Sequence, residues 1–191
     1  IPERCVACGH CFQVCPVRAK RVRDDLGRVK QLLRDGRRTV VSLAPSYVSE
    51  FPDVAPAQLV SARRRLGFHA VSETALGAQQ VSAAVREELR DGTPRILLSS
   101  ACPTVVDLIY KYLPDLGKHV TNLASPLLAH CRLLKQTFGA DVAVVFIGPC
   151  IAKKLEADRH PELLEVALSF ADLRRWFEDE HLRPRLLRSE E

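Results

Sequence analysis

Residues 5–16 read Cys-Val-Ala-Cys-Gly-His-Cys-Phe-Gln-Val-Cys-Pro, a C-x-x-C-x-x-C-x-x-x-C-P run, and no other feature of the chain limits its fold so tightly. Thiolates at i, i+3 and i+6 of one short loop suit a cuboidal cluster, whose corners need donors converging from several directions; Gly9 permits the tight turn and Pro16 ends the loop. Zinc is the alternative. Its sites usually set two C-x-x-C pairs a dozen or more residues apart, and three cysteines at successive intervals of three do not suit a tetrahedron. We therefore expect a [4Fe-4S] cluster on Cys5, Cys8, Cys11 and Cys15. Cys15 carries an ambiguity, because in two-cluster ferredoxins the fourth Cys of each run ligates the other cluster. It closes its own cluster, serves one whose run lies upstream of residue 1, or gives way to a distant Cys. His10 reads as an exposed loop residue or as a hydrogen-bond donor to a cluster sulfur.

The remaining composition fits that reading. Seven Cys is an odd number, which argues against a closed disulfide framework and for metal or redox chemistry. With 191 residues, 47% hydrophobic and 27% charged, one main globular fold is expected. No stretch approaches the roughly 18–20 apolar residues that span a bilayer, and no secretory pattern opens the chain. We expect a cytoplasmic setting and no membrane contact. The net charge of +5 is spread over scattered Lys and Arg, densest at 18–23 and 63–65. These runs read as solvated helix faces and a collar around an anionic cluster. Aromatics are few and not interleaved with them, so nucleic acid is not an expected partner. The chain holds no Met and stops on the polar run Arg188-Ser189-Glu190-Glu191, so both ends are expected to be cut points within a longer product.

Beyond the cysteines, strand and helix patterns alternate. Helices are expected at 24–34, 56–66, 76–89, 103–113, 125–138 and 171–180, the first and second ended by Gly36 and Gly67 and the third by Asp91-Gly92. Strands are expected at 39–44, 68–71, 95–99, 142–147 and 166–169, from β-branched or fully apolar runs. Strands alternating with helices of this length predict an α/β domain over 24–191, C-terminally incomplete, with a mainly parallel sheet flanked by helices. A small ferredoxin-like cluster module, 1–23, precedes it. Gly67, Gly77 and Gly92 are isolated, so no nucleotide-binding glycine loop is present.

Cys102 and Cys150 each follow an expected strand, where open α/β sheets place their ligands. Buried thiols are common, and Cys131, among the leucines of the 125–138 helix, reads as one. His130 beside it has no spacing that requires a metal or a proton.

The order Ala44-Pro45-Ser46, Leu66-Gly67-Phe68, Glu73-Thr74 with Gly77-Ala78, Ser99-Ser100-Ala101-Cys102-Pro103, Ser125-Pro126 and Gly148-Pro149-Cys150-Ile151-Ala152-Lys153-Lys154-Leu155-Glu156 resembles the catalytic domain of the iron-only ([FeFe]) hydrogenases. That family also carries ferredoxin-like segments ahead of the domain, and the resemblance runs from about residue 1 to 178. It implies that Cys102 and Cys150 each give a thiolate to the [4Fe-4S] part of an active-site cluster. It also implies that Lys153 faces a diiron subsite and that Glu156 lies on a proton path. Three departures stand out. The family's proton-donating Cys is Ala101, no carboxylate occurs in 79–85, and Gly148 replaces the usual Met. The segment supplying the last two family cysteines is absent as well.

Ala carries no proton, so efficient hydrogen turnover is not expected. The expected role is an iron–sulfur redox protein working in electron transfer or in redox or hydrogen sensing. Its partner would be a redox protein or a fused signalling domain, and its oligomeric state is open. An atypical slow hydrogenase and a cluster-assembly factor or simple electron carrier are the alternatives.

Overall fold

The computed structural model describes residues 3–90 and 96–187. The chain order is α1 (His10–Gln13), α2 (Leu26–Arg34), β1 (Thr39–Leu43), α3 (Tyr47–Glu50), α4 (Pro56–Arg65), β2 (Ala70–Glu73) and α5 (Ala75–Arg90). There follow α6 (Pro103–Tyr112), α7 (Pro126–Phe138), β3 (Ala143–Gly148), α8 (Ala152–Arg159), β4 (Val166–Ser169) and α9 (Phe170–Asp179), with 3-10 turns at Pro114–His119 and Pro184–Leu186.

The four strands form one parallel sheet in the order β2-β1-β3-β4. Strands covered by helices on both faces are mostly apolar, and β1 and β3 are buried at every residue, with the hydroxyls of Thr39 and Ser42 hydrogen-bonded. Each buried Val or Ile there contributes about 1.5–3 kcal/mol relative to exposure. Thr39 pairs with Ala143 and Leu43 with Ile147 along the central pair, and β4 joins through Val145 and Val166. From β1 the chain passes outward to β2, and from β3 outward to β4. The order therefore reverses between β1 and β3, and the loops leaving those two strands flank the crevice where parallel sheets take ligands. On α9, Phe170 and Phe177 meet Phe51 edge-on and Trp176 meets Phe68 edge-on.

The expected α/β fold is thus the observed one, with one strand misplaced. Residues 96–99 add nothing to the sheet; Leu98 makes a single bridge to Val120. Arg95 and the Asp91-Gly92 stop lie outside the described residues. Among the described residues no helix is long and apolar enough to cross a membrane.

Arg63 also departs from the solvated face read into its basic run. It is fully buried on α4. Its Nη1 donates to Leu59 O at 3.2 Å, while Nε and Nη2 have no partner among the described residues. Burial pushes its pKa down to about 9, against the opposing influence of Tyr47. A buried cation without a counter-ion costs stability that an apolar side chain of similar size does not. Arg63→Met is therefore expected to raise stability by about 1–4 kcal/mol in urea unfolding at pH 7; a loss would contradict the uncompensated burial.

Candidate functional site

Cys150 stands two residues beyond β3 and two before α8, at the reversal of strand order. Gly148 is required just before it, because a Cβ there would collide with the Phe146 ring and lie 2.7 Å from Ala44 Cβ. The position at which the resembled family carries Met is closed to a side chain here.

Cys102 is the N-cap of α6 rather than the tip of a sheet strand. Its loop is fixed from below. Ser100 Oγ donates to Leu123 O at 2.7 Å and lies 2.9 Å from Thr121 Oγ1, while Ala101 N donates to Ser99 Oγ at 3.2 Å. The helices that follow the two cysteines are joined directly. Arg159 on α8 makes a bidentate pair with Asp107 on α6, at 2.9 and 2.8 Å. That guanidinium holds the Asp107 carboxyl below its usual range.

The cysteine run wraps the outside of this pair. Ala7 and Gly9 take left-handed backbone, and α1 is a single turn. Lys111 Nζ and Tyr112 Oη on α6 donate to the carbonyls of Cys5 and Arg4, at 2.6 and 2.7 Å. Gly9 rests on Ile151, whose Cδ1 would lie 2.8 Å from an added Cβ. Cys8, Gly9, Pro149, Cys150 and Ile151 consequently line one cavity of about 640 Å³, which also reaches Phe12 and Ser169.

All seven cysteines are free thiols. Cys5, Cys8, Cys11, Cys102 and Cys150 are exposed and Cys15 half-buried. Ala19 N donates to Cys15 Sγ at 3.3 Å. That bond, with the amides of Lys20 and Val17 and the Lys20 charge, outweighs desolvation and holds the thiol below its ordinary range, which favours the ligating thiolate. Among the described residues no three His, Cys, Asp or Glu side chains are gathered as they would be around a single metal ion. A cuboidal cluster spreads its ligands over four corners and asks for a looser set.

Cys131 is completely buried, and burial pushes its thiol up to about 12, so it is a core residue. His130 is buried between Ser42 and Ser72, at 2.8 and 2.9 Å, and reaches no cysteine loop. His10 is exposed. Lys153 Nζ pairs with Glu156 at 2.7 Å on α8, both side chains being largely buried.

Several positioning residues had no signal in the sequence. Asp107 and Arg159 are 52 positions apart, and Lys111 looks like any solvated helical lysine. Only the Ser169–Asp172 capping box at the start of α9, beside the cavity, is a local pattern.

Residues 37–191 match the family described as "Iron only hydrogenase large subunit, C-terminal domain", and residues 1–21 match the "4Fe-4S binding domain". The cytosolic Fe-S cluster assembly factor nar1 of Aspergillus terreus is 34% identical over 106 residues, which cover 51% of this chain and 18% of that protein. A variant of [FeFe]-hydrogenase HydA1 from Chlamydomonas reinhardtii shares the fold with a TM-score of 0.76 at 23% identity, over 88% of this chain and 50% of that one. The HydA(deltaEFG) structure, described as revealing stepwise H-cluster assembly, gives 0.72 at 24%, over 88% and 50%. The chain spans about half the length of these hydrogenases and less than a fifth of the curated relative. It belongs to the family of the iron-only hydrogenase large subunit, C-terminal domain, and carries an iron–sulfur binding segment ahead of that domain.

Proposed function

We propose that the chain is an iron–sulfur redox protein with two cluster-binding sites, serving electron transfer or redox or hydrogen sensing rather than efficient hydrogen turnover. Cys5, Cys8, Cys11 and Cys15 would hold one [4Fe-4S] cluster, and Cys102 and Cys150 would give two thiolates to a second. The clusters would supply one-electron transfer. Lys153 and Glu156 would face the second group, and the partner would be a redox protein or a fused signalling domain. The observation that carries the reading is the shared cavity, where Gly9 packs on Ile151 and which Cys8 and Cys150 both line. Ala101, the residue before Cys102, offers no proton, which weighs against a hydrogenase.

Anaerobic reconstitution with iron and sulfide tests this. Two clusters give about eight irons per chain, of which Cys8→Ser and Cys150→Ser should each remove about half. A count of about four that Cys150→Ser leaves intact would refute the second site. Hydrogen evolution near that of the hydrogenases, once a diiron cofactor is supplied, would refute the non-catalytic role.

Cluster assembly is the second reading, favoured by the likeness to the nar1 assembly factor. It predicts that a cluster passes from this chain to an apo-protein faster than it is lost to a chelator.

A further inference from the structure

Lys153 and Lys154 are adjacent on α8 but engage different partners. Lys153 meets Glu156, within its own helix. Lys154 is only 6% exposed in its side chain, and its ammonium is bound from three elements. It donates to Asp25 Oδ2 at 3.2 Å, to Ala167 O on β4 at 3.1 Å and to Asp172 Oδ2 on α9 at 3.0 Å.

Each partner is itself committed. Asp25, fully buried in its side chain, also takes Arg23 Nε at 3.0 Å and Arg28 Nη1 at 3.3 Å. Arg23 turns its two terminal nitrogens onto Asp158, one turn beyond Lys154, at 2.7 and 3.0 Å. Asp172 caps α9 through Ser169 N and Oγ, at 2.9 and 2.8 Å. Burial pushes the Asp172 carboxyl up, but these bonds and the Lys154 ammonium outweigh it and keep the group below its usual range.

The placement gives the cluster of charges a purpose. Arg23 closes the cysteine segment and Asp25 lies just beyond it. Lys154 lies four residues after Cys150, and Ser169 and Asp172 line the cavity that Cys8 and Cys150 share. The three attachments converge on one ammonium.

We propose that Lys154 is a positioning residue that sets the separation of the N-terminal cysteine segment from the Cys150 loop. This rests on the reading that both cysteine sets hold clusters. With Lys154 in place, the segment is held against α8 on two sides, by Lys154 and Asp158 at residues 23–25 and by Ile151 at Gly9. Without it, Asp25 and Asp172 are left as buried carboxylates facing each other across the lost cation, and the end of the segment at residues 18–25 loosens against the cavity, while Lys111 and Tyr112 still hold Cys5 and Arg4.

The test uses the reconstituted full chain, with Lys154→Met and Asp25→Asn as variants, the second sparing the α9 cap. Limited trypsin digestion should cut the basic stretch 18–23 about tenfold faster in both, because cleavage follows the population of the opened segment. Iron content should be unchanged, since no ligand is touched. The electron paramagnetic resonance spectrum of the reduced protein should lose the magnetic interaction between its two clusters. Lys154→Arg, which keeps the charge, should restore part of both properties. If the variants melt earlier while their digestion and spectra match the parent, Lys154 is only a stabilising core cation and the proposal fails. If the parent takes up no second cluster, the two-cluster reading fails, and digestion of the same chains still decides whether Lys154 holds the segment.

Discussion

Gly77→Ala should cost the protein about 3 kcal/mol or more, although the same change elsewhere on a helix is a gain. Gly77 sits in the first turns of α5 where that helix presses on the start of α7. A Cβ there would run into Pro126 O and lie 2.7 Å from His130 N and 2.8 Å from His130 Cβ. Two of those atoms are backbone, so relief requires one helix to move off the other rather than a side chain to rotate. Overpacking in a close-packed interior costs about 1–3 kcal/mol where side chains can yield, and more where they cannot. Gly27 on α2 is the control, since nothing lies within 4 Å of a Cβ built there. Gly27→Ala should stabilise by about 0.5–1 kcal/mol through reduced backbone freedom alone. Urea unfolding followed by the fluorescence of Trp176, the single and buried tryptophan, measures both. Equal shifts in the two variants would rule out the close helix contact.

The same contrast marks what a sequence discloses. β3 was legible because the unbroken apolar run 142–147 has few ways to be satisfied other than a central parallel strand. Helix α2 announced itself through apolar spacing and the Gly36 that follows it, and α4 through Pro56 at its first turn and Gly67 at its end; the caps of α7 and α9, Ser125 and Ser169, are seen only in the structure. Helix α8 did not. Its eight residues bury Lys154 and Glu156 together with two alanines, so the apolar periodicity that reveals a helix is missing. Residues 96–99 failed in the opposite sense. Ile96, Leu97 and Leu98 look like a strand, yet Ile96 is 62% exposed and Leu98 gains only the bridge to Val120.

The candidate site divides along similar lines. Cysteines carry their chemistry in their identity, and the short spacing of Cys5, Cys8, Cys11 and Cys15 made them visible. Nothing local connects Cys8 to Cys150, which become neighbours only through the order of the sheet and the Gly9–Ile151 contact. The charged framework was more deeply hidden. Asp25 and Lys154 are 129 positions apart, and each alone reads as a solvated polar residue. Arg63 shows the same limit, since a run of three arginines gives no sign that its first member is turned inward.

Acid should weaken the fold through His130. Its ring lies under the sheet, with Nδ1 2.8 Å from Ser42 Oγ and Nε2 2.9 Å from Ser72 Oγ, and Ser42 in turn meets Thr74 Oγ1 at 2.8 Å. One α7 side chain thus ties β1 to β2. A neutral imidazole satisfies both serines, one as donor and one as acceptor. Protonation would place a cation where burial already pushes the pKa down to about 4 from 6.5. The unfolded chain therefore binds this proton first as the pH falls. The stabilisation is complete above about 6.5 and declines down to about 4, below which about 3 kcal/mol has been lost. Comparing the parent with His130→Gln isolates this contribution from the carboxylates, which titrate in both. Between pH 7.5 and 4.5 the parent should lose about 2–3 kcal/mol more than the variant, measured by urea unfolding. An equal loss in both would mean that the ring is already charged, or already reached by water, in the folded protein. The hydroxyls of Ser42 and Ser72 would then be accepting bonds rather than sharing them with a neutral ring.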